Sequence, residues 1–173
     1  MPMDARALLR SQFSQAKFVL DLVLNDCDEA LLAWLPDGAN IQTGATILAH
    51  IVADADFLVN AGALNRPMVI QTGDWAQRAG VPAPSGPLMT GDWIAGVNLN
   101  LAGIRDYANE VFASIDEGLA NAPDAVLDAE RETPMGKITT LQFLGTIGVY
   151  QIAEHTGEIA ALKGIQGKRG LPF

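Results

Sequence analysis

The sequence predicts a soluble all-α protein, a four-helix bundle with one long crossover connection between its second and third helices. Three observations carry this. Four segments repeat apolar side chains at steps of three and four residues, the spacing that lines one face of an α-helix. Between the second and third segments, over about residues 63 to 90, the pattern dissolves into Pro67, Pro82, Pro84, Pro87 and several glycines. Hydrophobic residues make up 49% of the chain and charged ones 18%, so much of every helix must be buried. The 173 residues suffice for one domain, 1–173, with a continuous core.

The first helix is expected from about Asp4 to Leu35, with Leu9, Phe13, Ala16, Leu20, Val23, Cys27 and Leu31 on its inner face. Pro36 ends it, because the proline ring disfavours helical geometry at the residue before it. Thr43 can cap a second helix that continues to about Gly62. Its inner stripe is Ile47, His50, Ile51, Asp54, Phe57, Leu58 and Ala61, while Leu48, Val52, Ala55 and Val59 make the other side apolar too. Such a helix belongs at the centre of the bundle or at a subunit contact. Asp56 reads as solvated. Within the crossover one helical turn is expected near Asp74 to Arg78, and the rest is either a cover for a pocket or a surface link between helices that are not antiparallel neighbours.

Asp92 can cap the third helix, running to about Ala120 with Val97, Leu101, Ile104, Ala108, Val111, Ile115 and Leu119 inward. From Asn121 to Lys137 the chain turns at Pro123, Pro134 and Gly136; an extended piece at Glu130 to Thr133 is conceivable, but no sheet is expected. The fourth helix has the clearest start, since Thr139 and Gln142 can form a reciprocal capping box, and Gly164 supplies a stop. Leu141, Leu144, Gly148, Gln151, His155, Ile159 and Leu162 fall on its inner stripe. The Gly-rich tail from Ile165 is expected to pack loosely.

Eleven basic against twenty acidic residues give a formal charge of −9, which repels a phosphate backbone, and the basic residues are scattered. No nucleic acid is expected as a partner. Apolar runs are broken well short of the roughly 20 residues that span a bilayer, so no membrane span is expected. The N-terminus lacks the pattern of a secretory signal, and the single Cys27 cannot form an intramolecular disulfide; the expected compartment is the cytoplasm. Cys27, on an apolar stripe, reads as a small buried thiol.

Polar residues on the inner stripes carry the functional interest. Both histidines of the chain, His50 and His155, face inward, and Gln151 lies one turn before His155, about 6 Å along the axis. If the second and fourth helices are neighbours, His50, Asp54, Gln151 and His155 converge. Two imidazoles and an oxygen donor would make a first shell for Zn, Ni or Fe with positions left open, Asp54 either ligating or orienting His50. The alternative is a hydrogen-bonded structural core, the commoner role of an inward histidine. Tyr150 and Glu154 flank the stripe and are expected at the pocket rim, and Trp34, Trp75 and Trp93 as packing residues. No phosphate loop, nucleophile elbow or Cys-x-x-Cys pair is present.

Thr43 to Leu58, TGATILAHIVADADFL, and Tyr150 to Phe173, YQIAEHTGEIAALKGIQGKRGLPF, resemble the two signature helices of the DinB/YfiT-like superfamily of damage-inducible four-helix bundles. The segment His155 to Ile159, followed by Lys-Gly and Gln-Gly, is the most specific part. The resemblance implies a homodimer and a divalent metal, zinc or nickel, on three histidines, one from the second helix and two spaced four apart on the fourth. His50 matches the first of these and His155 the last; Gln151 stands where the middle histidine is expected. The implied ligand set is therefore His50, Gln151 and His155, with the third position degenerate. The function so implied is a small-molecule-binding homodimer with a degenerate metal site. The alternative is a metal-dependent S-transferase or isomerase using a low-molecular-weight thiol. The resemblance also implies a pocket open at one end of the bundle near His50 and His155, with the 63 to 90 connection as candidate lid.

Overall fold

The computed structural model of the protein describes residues 4–84, 90–134, 136–171 and 173. Among these the chain is a bundle of four long helical rods. The first is α1, Ala5–Leu24, and the second is α3, Gly44–Ala55, continued by a π-helical segment Asp56–Ala63. Then come α6, Leu101–Asn121, and a last rod built of α8, Thr140–Phe143, a π-helical segment Leu144–Gly148, and α9, Val149–Ile165. Short helices join them: α2, Glu29–Ala33, after α1; α4, Trp75–Ala79, and α5, Gly91–Ala95, in the crossover; and α7, Asp124–Leu127.

Side-chain pairings fix the directions. Arg6 meets Asp124, Arg10 meets Asp116 and Arg105 reaches Leu24 O, so α1 and α6 are antiparallel. His50 faces His155 while Val59 touches Gly148, so α3 and α9 are also antiparallel. Asp56 bonds Tyr107, Asn60 bonds Ser114 and Arg66 pairs with Glu117, which makes α3 and α6 parallel neighbours. An up-down-down-up order results. A link between two parallel rods must run back the length of the bundle, which is why the crossover is long.

The predicted first helix is broken. After Leu24 the chain leaves helical geometry, and Asp28 restarts it by accepting a hydrogen bond from Leu31 N at 2.8 Å. Cys27 and Leu31 stay buried across the break, so the apolar stripe is right although the helix is not continuous. The third helix is divided likewise. Thr90, not Asp92, caps α5, and a new cap at Asn100, accepting from Gly103 N at 2.7 Å, starts α6. Each break carries an Asp or Asn whose short side chain competes for backbone N–H groups.

Thr139 accepts from Gln142 N at 3.1 Å and Gln142 Oε1 from Thr139 N at 2.8 Å, so both halves of the capping box form. Against expectation, the chain before it makes an antiparallel hairpin, β1 Glu130–Thr133 with β2 Gly136–Thr139. Its strands present mostly polar side chains to solvent, so no apolar alternation announces it.

Within the crossover the expected turn appears as α4, which lies against α6. Gly103 lets the two backbones touch, since a methyl there would overlap the Arg78 carbonyl. Two parts of residues 63–81 belong to the core, since Met68, Val69, Ile70, Ala79 and Val81 are buried, while residues 71–74 between them are exposed. Residues 85–89, Pro87 among them, lie outside the described residues. One helix, Gly44–Ala63, is long and apolar enough to cross a membrane by length and composition alone, but 67% of that stretch is buried in the bundle, as for a core helix.

Asp56 is a correction. It is fully buried, and its carboxylate accepts from Asn60 Nδ2 (2.9 Å), Val69 N (2.9 Å), Ile70 N (3.0 Å) and Tyr107 Oη (2.7 Å). Burial, then the Asp56 charge and hydrogen bond, pushes the Tyr107 phenol far above its ordinary range. One carboxylate thus ties α3, the crossover and α6 together.

Candidate functional site

His50 comes from the N-terminal half of α3 and His155 from the middle of α9. Because those rods are antiparallel neighbours, the two rings meet edge to face, centroids 4.8 Å apart and planes at 74°. Thr43 sets the start of α3 by accepting from Thr46 N, and so fixes which residues of that helix face α9.

Each ring has a carboxyl neighbour on its own helix. His155 Nδ1 donates to Glu158 Oε2 at 2.7 Å, which places the ring proton on Nδ1 and leaves Nε2 for whatever enters the site. His50 Nε2 lies 3.6 Å from Asp54 Oδ2, too far for a hydrogen bond. Burial, reinforced by His155, brings His50 down to about 4, and burial raises Asp54 to about 7. At neutral pH this pair is a neutral imidazole beside a half-protonated acid, not an ion pair.

Gln151 is buried between the rods and donates from Nε2 to the Ile51 carbonyl at 3.3 Å, stitching α9 to α3. Three buried polar atoms of these residues have no hydrogen-bond partner among the described residues: His50 Nδ1, Asp54 Oδ1 and Gln151 Oε1. Of the four inward polar residues, the two histidines meet ring to ring, Asp54 lies beside His50, and Gln151 is bonded to the α3 backbone.

As a ligand set, His50, Gln151 and His155 fall short of the three histidines expected. Two imidazoles are joined only by a neutral amide whose nitrogen is already committed to Ile51. Among the described residues, no group of three His, Cys, Asp or Glu side chains is placed to hold an ion.

The rings form one wall of a cavity of about 320 Å³, closed by Ile41, Gln42, Thr46, Ile47, Trp93, Ile94 and Glu158. It opens at the end of the bundle where α3 begins. Trp93 does more than fill core: buried and held by its indole N–H on Pro82 O at 2.7 Å, it also walls the cavity. None of the described residues of the expected lid, 63–90, lines this cavity; Trp93 and Ile94 of α5, just beyond it, do. Tyr150 is 62% exposed and Glu154 is exposed, and neither lines the cavity. Sequence reading missed Glu158, although its place three residues after His155 put it on the same face. It missed Ile41, which lies between two helices, and Ile94, which it placed in the third helix without a role. Cys27 is buried as expected, and burial pushes its thiol pKa up, away from reactivity.

The fold is an all-α bundle with an inward polar pair near one end. The crystal structure of a conserved protein from Enterococcus faecalis superposes on 96% of this chain and 99% of its own, with a TM-score of 0.78 at 13% identity. A mutant of the mycothiol-dependent maleylpyruvate isomerase matches 87% of this chain with a TM-score of 0.57 at 15% identity. The present chain spans 58% of that isomerase's length. At such identities the likeness is one of fold. Compared by sequence, the chain matches no family model and no curated protein.

Proposed function

We propose that this protein binds a small organic molecule in the His50–His155 cavity, which is a metal site reduced to two imidazoles by Gln151. The carrying observation is the cavity itself: two inward rings, a buried indole and aliphatic walls converge at one end of a rigid bundle. Apolar walls with a few placed polar groups suit a ligand that is mostly carbon. His50, neutral at pH 7, offers a hydrogen bond without charge, and His155, oriented by Glu158, offers Nε2. The resemblance supports a cytoplasmic homodimer as the working form.

Side-chain NMR of His50, His155 and Trp93 during a fragment titration tests the reading. Fragments should shift all three; a library that shifts none overturns it. A second reading, a metal-dependent thiol S-transferase or isomerase, draws support from the unpartnered buried atoms His50 Nδ1 and Gln151 Oε1. Tag-free protein dialysed against zinc or nickel should retain well below one ion per chain. One ion per chain, lost in His50→Ala, would select the second reading instead.

A further inference from the structure

Thr46 is one wall of the cavity beside the histidines. A second cavity of about 250 Å³ shares that residue as a wall and is bounded by Glu29 and Thr43. A single stretch of chain roofs both: Trp93 and Ile94 cover the first, and residues 97–99 the second. Thr46, its hydroxyl 3.0 Å from that of Thr43, is the residue the two linings share.

The linings of the two cavities hold no lysine or arginine among the described residues. Their formal charges are two carboxylates. Glu158 is engaged by His155, and even a protonated His155 would be neutralised by it. Glu29 accepts from Leu101 N through Oε1 at 3.1 Å, which leaves Oε2 without a hydrogen-bond partner among the described residues. The chain as a whole carries −9. An anionic ligand entering here would lose hydration and find no cationic side chain, whereas a cationic head would find the Glu29 carboxylate.

We propose that the two cavities form one elongated site for an amine with an apolar body, the body lying against Trp93 and the ammonium head at Glu29. This rests on the small-molecule reading above and adds the class of ligand.

Three probes with one apolar body separate the possibilities: 4-phenylbutylamine, 4-phenylbutanol and 4-phenylbutyrate, titrated calorimetrically into the full chain. The amine should bind at least about tenfold tighter than the carboxylate, the ratio expected for one charge-assisted hydrogen bond. Glu29→Gln keeps an acceptor for Leu101 N at an exposed position and should fold. It should remove most of the amine's advantage while leaving the alcohol's affinity within about twofold. Equal or tighter binding of the carboxylate overturns the proposal, as does a Glu29→Gln variant that still prefers the amine. In either case the probes have bound and the pocket reading stands. Failure of all three probes to bind overturns both.

Discussion

Replacing Asp56 by alanine should nearly abolish the folded state. The wild-type carboxylate takes four hydrogen bonds in a site with no solvent exposure, two from the backbone N–H groups of Val69 and Ile70 and two from Asn60 and Tyr107. A buried donor stripped of its acceptor costs about 1–3 kcal/mol. Four donors cannot lose the full amount independently, since they share one cavity that water can partly refill, so roughly 4–6 kcal/mol is expected. That is a large part of the 5–15 kcal/mol typical of a domain. With a urea dependence of about 2 kcal/mol per molar, the midpoint should fall by roughly 2–3 M. Asp56→Asn keeps the volume and one acceptor oxygen and should lose about half as much. Amide exchange gives a local reading, because Val69 and Ile70 should lose protection before α1 and α9 do. An alanine variant within about 1 kcal/mol of wild type would refute the claim that this carboxylate anchors the crossover.

Two further outcomes follow from the same packing. Asp54 has a folded-state pKa of about 7 against an ordinary 3.8, so the stability of its neutral form is complete below pH 4 and gone by pH 7. His50 works oppositely: held down to about 4 from 6.5, it contributes stability above pH 6.5 that is lost as pH falls to 4. Asp54→Asn should therefore gain on wild type by about 1–3 kcal/mol between pH 4 and 7.5, less than the unscreened ~4 kcal/mol of a three-unit shift. A variant-minus-wild-type difference that stays flat with pH in urea titrations would count against the buried acid. Gly103→Ala should lower the melting temperature despite alanine's better helix propensity of about 1 kcal/mol. Its methyl must push α4 away from α6 at the Arg78 carbonyl, at a cost of about 1–3 kcal/mol or more. A variant as stable as wild type would show that α4 is not held against α6.

Much of the bundle is legible in the chain because helix formation is periodic and local. Most of the stripes are buried as read, from Leu9, Phe13 and Leu20 in α1 to Leu144, Ile159 and Leu162 in the last rod. The Thr139–Gln142 box works because all its atoms lie within four consecutive residues. Breaks were harder. A stripe continues through Cys27 and Leu31 whether or not the backbone bends between them, so periodicity alone does not register the bend at residues 25–28. The hairpin carries no apolar alternation to reveal it, and Asp56 reads as a surface charge until its four donors are counted.

By itself the sequence determined that four amphipathic helices form and that His50 and His155 face inward, since each of these is a property of spacing along one helix. Only the tertiary structure decided that the two rings touch, that Glu158 rather than Glu154 joins them, that Trp93 walls the cavity, and that Asp56 is core. Those facts depend on which rods are neighbours and in what register, and register is set by contacts between residues far apart in the chain. A helical wheel gives each side chain a direction; it does not say what stands opposite.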